Sequence, residues 1–221
     1  MIRLLLVRHG NTFEADQIPT QVGARTDLPL TQTGLMQAEA IARYLLSEKI
    51  RPAAIYQGPL KRQKETADRI AAPFQMPTQI VPVLTEIDYG PWEALTAESI
   101  QAKWPTEYFG WTEQSLWPEK IFKGTIPLKV IEEWIFHLSQ THRPGDTVVA
   151  VSSNGLIRYF YSLEKEKWKQ LADARQMEKI KVKTGHFCDL SLIGERIVVN
   201  GWNLNPNQQV EGLGVAKPVP Q

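Results

Sequence analysis

The chain has 221 residues, 43% of them hydrophobic, and a formal net charge of +1 at pH 7. That length is enough to bury a core in one or two domains, and the near-neutral charge argues against a general nucleic-acid binder. No apolar stretch approaches the ~18 residues that a membrane-spanning helix needs, and the opening MIRLLLV is too short for a secretory signal. The single cysteine, Cys188, excludes an internal disulfide and a multi-cysteine metal site, and it is typical of a reducing, cytoplasmic environment.

Strand and helix patterns alternate along the chain. Apolar runs predict strands, and apolar residues at a spacing of three and four predict amphipathic helices, the first of them capped by Thr31. In chain order we predict a strand at 2–7, a helix at 31–46, a strand at 53–56, helices at 59–71 (with Pro59 in its first turn) and 126–138, a strand at 147–152, a helix at 154–163, and strands at 187–193 and 197–202. The alternation indicates an α/β fold, a three-layer sandwich around a central, mostly parallel mixed sheet with an antiparallel edge.

The end of the first predicted strand carries residues suited to phosphate chemistry, Arg8-His9-Gly10. Ligands of open α/β sheets bind just beyond the carboxyl ends of the strands. Arg8 offers a planar fork of donors for a phosphate, and His9 is largely neutral, hence nucleophilic, near physiological pH. Gly10 lets the backbone approach a ligand closely. A tripeptide this short also occurs by chance, so its meaning depends on the rest of the chain.

Four ordered blocks of sequence resemble the histidine phosphatase superfamily, the phosphoglycerate-mutase-like group. They are RHGNT followed by RTDLPLTQTGLMQAEAIARYL, then GPLKRQKETADRIA, TEIDYGPWEAL and TVVAVSSNGLIRYF. The resemblance spans residues 3–200 and implies that residues 1–221 form a single histidine-phosphatase-like domain with a phosphoglycerate-mutase-like fold. It also implies that the chain hydrolyses a small phosphorylated metabolite through a phosphohistidine on His9, with no metal or other cofactor.

The resemblance assigns further residues to the site. Asn11 and Thr12 complete the RHGNT motif and are expected to bind phosphate beside Arg8, and Arg62 is the second phosphate clamp. Glu86 matches the proton donor, because a leaving alkoxide needs a proton and a carboxyl group near phosphate has a raised pKa. Asp88 is the competing candidate for that role.

The chain departs from the family pattern at two places. Ser153 stands where the second catalytic histidine is expected, and a hydroxyl can donate to a phosphoryl oxygen but carries no charge. A phosphate-binding asparagine of the family falls on Ala15. The amide of Asn154, and the backbone N–H groups at the start of the following helix, could take over as donors. His186 could restore an imidazole from another direction, or serve only in packing.

The segment at about 89–125 breaks the alternation and holds four of the seven tryptophans. Its rings could pack an insert into a small core of their own. They could equally form a lid over the strand ends that shapes the substrate pocket. Both interpretations stay open at the level of the sequence.

Three other functions compete with a phosphatase. A phosphoglycerate-mutase-type phosphotransferase would use the same residues, but the chain lacks the long inserts of the glycolytic mutases, which favours a phosphatase. A pseudoenzyme would bind phosphoryl ligands without turnover. A serine hydrolase would use Ser153 as its nucleophile with Asp173 and His186, but Val151 is bulky where a nucleophile elbow needs a small residue.

Overall fold

The computed structural model describes residues 1–194 and 196–208. This part of the chain builds one sheet in the order β3-β2-β4-β1-β5-β6. Its strands are β1 (Ile2–Arg8), β2 (Ala54–Gln57), β3 (Gln79–Ile80), β4 (Thr147–Ser152), β5 (Phe187–Ile193) and β6 (Arg196–Leu204). Strands β1 to β4 pair in parallel, whereas β5 runs antiparallel to β1 and β6 antiparallel to β5. The predicted mixed, mostly parallel sheet with an antiparallel edge is confirmed.

The helices in the described residues are α1 (Gln32–Ser47), α2 (Lys61–Ala71), α3 (Ala97–Lys103), α4 (Pro105–Gln114), α5 (Leu128–Thr141), α6 (Asn154–Ser162) and α7 (Lys165–Asp173). Thr31 caps α1 as predicted, its hydroxyl accepting from Gly34 N at 3.1 Å. Helix α2 begins later than predicted, because Leu60 is still extended and Asp27 caps the helix by accepting from Lys61 N at 2.7 Å. None of these helices is long and apolar enough to cross a membrane.

Alternating side chains of the central strands build the core on both faces of the sheet. Leu5 and Val7 of β1 pack with α1 and α2 on one face, whereas Leu4 and Leu6 pack with α5 and α6 on the other. All four side chains are at most 1% exposed. Two helical layers therefore cover the sheet, which confirms the three-layer sandwich and leaves its carboxyl edge for a site.

The rings of residues 89–125 gather around Phe122. The ring centroids of Trp92, Trp111 and Trp117 lie 5.1, 4.9 and 5.2 Å from that of Phe122, all near edge-to-face. Trp92, Trp111 and Phe122 belong to the same core cluster as Leu4 and Leu6 of β1, and Trp117 packs against it, so the predicted separate small core is not formed. The same segment also turns Tyr89, Trp111 and the side chain of Tyr108 toward the carboxyl edge of the sheet.

Candidate active site

A pocket of about 710 Å³ opens where β1 and β4 end. Its walls come from the segment that follows β1, from the aromatic residues of 89–125, and from the start of α6 with the loop before β5. Arg8, His9, Asn11, Thr12, Glu86 and Asn154 all lie on these walls. The structure therefore brings six of the residues predicted from the sequence to one pocket.

Nε2 of His9 carries a lone pair and no proton. Nδ1 lies 2.8 Å from the carbonyl oxygen of Gly10, which can only accept, so Nδ1 carries the proton and Nε2 the lone pair. The backbone N–H of His9 donates to Ser152 O of β4 at 3.0 Å, which fixes the residue at the edge of the sheet. Burial, reinforced by the charges of Arg8 and Arg62, lowers the pKa of His9 well below its usual value. The imidazole is therefore neutral and nucleophilic.

Gly10 approaches the backbone of helix α1 closely. A Cβ at this position would collide with the backbone of Gly34 in the first turn of α1. The glycine therefore lets the end of β1 pack directly on a helix, which carries the chain past His9.

Arg62 lies behind His9 in the first turn of α2 and is fully buried. Its Nε donates to His9 Nε2 at 3.2 Å, so the two residues share one site as the sequence predicts. Nη1 and Nη2 donate to the carbonyl oxygens of Thr26 and Gly23 at 2.6 and 3.1 Å. The guanidinium is thus fixed by backbone oxygens with one edge against the nucleophile.

Arg8 reaches the pocket wall from the last residue of β1. Its Nη1 donates to Val182 O at 2.6 Å, which ties the side chain to the loop before β5. Nε of Arg8 is buried and has no hydrogen-bond partner among the residues described. Arg8 and Arg62 therefore place two guanidinium groups beside one imidazole, the arrangement that binds a phosphoryl group and neutralises its charge.

Glu86 is anchored by the first turn of α6. Its Oε1 accepts from Leu156 N at 3.1 Å and from its own neighbour Ile87 N at 2.9 Å, and its Oε2 accepts from Gly155 N at 3.1 Å. A Cβ at position 155 would collide with the Tyr89 hydroxyl and the Glu86 carboxylate. The missing side chain of Gly155 is what admits the carboxyl group to the helix end.

These contacts decide how the carboxyl group can act. The pKa of Glu86 is raised by burial, although the N–H of Ile87 and the charge of Arg62 oppose the rise. Because Oε1 accepts twice and Oε2 once, Oε2 is the oxygen with room to hold a proton. Two of the predicted backbone donors at the start of α6, the N–H groups of Gly155 and Leu156, bind Glu86 instead of facing a phosphate site.

Asp88, the competing acid, lies outside the pocket walls. Its Oδ1 accepts from Gly90 N at 2.8 Å and pairs with Nε of Arg25 at 3.1 Å. The carboxylate is therefore a structural anchor for the start of the segment 89–125. This geometry favours Glu86 as the acid of the site.

Asn11 and Asn154 are fixed by their side-chain oxygens. Asn154 Oδ1 accepts from Val182 N at 2.8 Å, which leaves its amino group as the donor toward the pocket. Asn11 Oδ1 accepts from the hydroxyl of Thr184. Ala15 lies on the pocket wall and offers only a methyl group.

Ser153 and His186 are not brought to the pocket walls. Ser153 is fully buried, and its hydroxyl accepts from Gln63 Nε2 at 3.0 Å. His186 Nδ1 lies 3.1 Å from Asn203 O of β6. His186 therefore does not restore an imidazole to the site in this structure. The serine-hydrolase arrangement is also absent from the described residues, since Ser153 makes no hydrogen bond with a histidine there.

One charged residue of the pocket was not predicted from the sequence. Arg158 of α6 lines the wall although its side chain is almost completely buried. It lies four residues after Asn154, so both occupy one face of the helix. That spacing, and a basic residue within the apolar stretch LIRYF, are the signals that could have identified it.

Comparisons with known proteins agree with this geometry. Residues 4–205 match the family described as "Histidine phosphatase superfamily (branch 1)". Phosphoserine phosphatase 1 of Hydrogenobacter thermophilus is 30% identical over 165 residues, which cover 73% of this chain and 75% of that protein. Metal-independent phosphoserine phosphatase of Arabidopsis thaliana is 28% identical over 205 residues, which cover 90% of this chain and 80% of that protein.

A solved structure of mycobacterial glucosyl-3-phosphoglycerate phosphatase complexed with VO3 is similar with a TM-score of 0.75 and 25% identity. The similarity covers 91% of this chain and 98% of the other. The extent of the family match, together with the shared architecture, leads to one assignment. The chain belongs to the histidine phosphatase superfamily.

Proposed function

We propose that this chain is a phosphatase that moves the phosphoryl group of a small phosphorylated metabolite first to His9 and then to water. The observation that carries the proposal is the unprotonated Nε2 of His9, aligned by Gly10 and flanked by Arg8 and Arg62. The names of the relatives, phosphoserine phosphatase and glucosyl-3-phosphoglycerate phosphatase, support the same reaction class.

In the first step Nε2 of His9 attacks phosphorus, and the bond from phosphorus to the leaving oxygen breaks. The incoming phosphoryl oxygens take over the hydrogen bond that Arg62 Nε makes to Nε2, so no donor is left without a partner. Glu86 supplies its proton to the leaving oxygen, which departs as an alcohol. The product is a phosphoryl group bonded to Nε2.

In the second step a water molecule attacks the phosphohistidine. The carboxylate of Glu86 takes one proton from the water, and the nitrogen–phosphorus bond breaks to release inorganic phosphate. Exposed side chains of Glu14 and Gln17 stand at the rim of the pocket, so water has a path to the phosphoryl group. A phosphatase requires this access for water.

Three further points belong to the proposal. No step above needs a metal ion, and the name of the Arabidopsis relative supports a metal-independent reaction. We take residues 1–221 as a single histidine-phosphatase-like domain in which the segment 89–125 lies over the site, since Tyr89, Tyr108 and Trp111 line the pocket. A cytoplasmic location is in keeping with the buried thiol of Cys188.

A substrate panel assayed with EDTA present tests the proposal. Phosphoserine, phosphoglycerates, sugar phosphates and nucleotide phosphates are compared by release of inorganic phosphate, beside His9→Ala and the control Asp88→Asn. We expect turnover of at least one substrate in EDTA, none after His9→Ala, and near-normal rates after Asp88→Asn. Binding of these ligands without any phosphate release would support the pseudoenzyme instead.

A further inference from the structure

Arg158 is a buried cation that the reaction above does not use. It lies on α6 beyond the residues that hold Glu86, and its side chain is 2% exposed while still lining the pocket. Its guanidinium carbon lies 3.9 Å from the centre of the Trp111 ring, and Nη1 donates to Trp111 O at 3.2 Å. The ring and the carbonyl group hold the plane of the guanidinium in one orientation.

No ion pair neutralises the charge of Arg158, although the nearby charge of Glu86 opposes the lowering of its pKa by burial. Among the described residues it makes no ion pair, and its buried Nε has no hydrogen-bond acceptor. The partly exposed Arg3, by contrast, pairs with Asp189 at 2.7 Å. Burying a cation without a counter-ion costs free energy. A bound anion would offset that cost.

The position of Arg158 relative to Glu86 indicates which part of a substrate Arg158 would contact. Gly155 and Leu156 hold the acid that protonates the leaving oxygen, and Arg158 follows on the same helix within about one turn, or about 5 Å. Side chains of a helix lean toward its N-terminus, which directs Arg158 back toward that acid. Arg158 therefore lies beside the leaving group, apart from Arg8 and Arg62 at the phosphoryl group.

The rest of the pocket fits a leaving group that carries a negative charge. On its walls Arg8, Arg158 and Lys181 outnumber the acids Glu14 and Glu86. Its volume of about 710 Å³ exceeds the space that a phosphoryl group alone requires. A larger, doubly anionic substrate would use both the volume and the excess positive charge.

We infer that Arg158 binds a second anionic group, a carboxylate or a phosphate, on the leaving-group part of the substrate. The inference rests on the proposed phosphatase function and narrows its substrate class to phosphomonoesters of anionic alcohols. In this role Arg158 determines specificity and takes no part in bond breaking.

Matched substrate pairs test the inference. Phosphoserine and phosphoethanolamine differ only in a carboxylate, and fructose 1,6-bisphosphate and fructose 6-phosphate differ in a second phosphate. We expect the wild type to prefer the more anionic member of at least one pair by tenfold or more in kcat/KM. Which pair shows the preference identifies the anion as a carboxylate or a phosphate.

The variants are Arg158→Met, which keeps an unbranched side chain against Trp111, and Arg158→Lys, which keeps the charge. Arg158→Met should abolish the preference within the pair while changing kcat/KM for p-nitrophenyl phosphate, which has no second anion, by less than threefold. Arg158→Lys should keep part of the preference. The exposed Arg143 supplies the matched control, since Arg143→Met should leave both values unchanged.

Two results would overturn the inference. One is equal kcat/KM within both pairs for a wild type that does hydrolyse phosphomonoesters. The other is an equal loss on all substrates after Arg158→Met, which would assign Arg158 to packing alone. If no substrate is hydrolysed, the proposed function fails, and the same pairs are compared by thermal stabilisation of the protein. Equal shifts in melting temperature for the two members of each pair would then exclude the anion site, independently of the proposed function.

Discussion

Replacing Glu86 by Gln removes the proton of the site but keeps the size of the side chain. The amide oxygen can still accept from Ile87 and Leu156, as Oε1 does. The amino group then takes the place of Oε2 and faces the N–H of Gly155, so that two donors oppose each other across 3.1 Å. The variant therefore loses both the acid and one backbone hydrogen bond.

The two losses have different magnitudes and different readouts. A positioned general acid contributes about 10²–10⁴-fold when the leaving group is a basic alkoxide. p-Nitrophenolate is a weak base that departs without a proton, so we expect less than tenfold loss on p-nitrophenyl phosphate. The unpaired N–H of Gly155 costs about 1–3 kcal/mol of folding free energy. This lowers the melting temperature by roughly 2–4 °C per kcal/mol for a protein of this size.

A leaving-group series measures the effect. Wild type, Glu86→Gln and the control Asp88→Asn are compared on aryl and alkyl phosphates whose alcohols span a range of pKa. The slope of log kcat/KM against leaving-group pKa should become steeper for Glu86→Gln alone, at a temperature well below its melting point. Parallel lines, with equal losses on all substrates, would remove Glu86 from the role of proton donor.

Three other predictions concern the same site. His9→Ala should abolish turnover and the acid-labile phosphoenzyme that rapid quenching with a labelled phosphodonor traps in the wild type; a phosphoenzyme that persists would place the nucleophile elsewhere. The kcat/KM for an alkyl phosphate should fall toward low pH as His9 gains a proton, and toward high pH as Glu86 loses one. Because the pKa of His9 is lowered and that of Glu86 raised, both limbs should lie outside the ordinary ranges of these groups, and Glu86→Gln should remove the upper limb. Ser153→His should raise the rate on p-nitrophenyl phosphate only when Gln63→Ala is added, since Gln63 fills the space beside Ser153; a full gain from the single change would contradict this packing argument.

The main strands of the sheet and its main helices could be predicted because each carries a strong apolar pattern. β4 and β5 have the predicted bounds, since both are buried runs of apolar residues between turns. Helix α7 could not be predicted in this way because none of its residues is fully buried, and Trp168 and Leu171 form only a short apolar stripe. Strand β3 could not be predicted either, because it has only two residues and both are exposed.

The features of the site also differ in whether the sequence alone could predict them. Arg8, His9 and Glu86 belong to local motifs, and a motif at a strand end reaches the same edge whatever the rest of the fold does. The use of the α6 amides by Glu86 depends on a contact between segments about seventy residues apart, which local patterns do not contain. The burial of Ser153 likewise depends on the side chain of Gln63, a member of another helix.

The change at Ser153 alters how the site responds to pH. Where an imidazole is expected, the chain has a neutral hydroxyl that accepts a hydrogen bond from the neutral amide of Gln63. This position therefore gains no proton as the pH falls. The positive charge beside His9 then comes from Arg8 and Arg62. Burial lowers the pKa of both guanidinium groups, yet arginine stays protonated throughout the working range of proteins. The positive charge that binds the phosphoryl group therefore does not change with pH. The pH dependence of the reaction then comes from His9, Glu86 and the substrate.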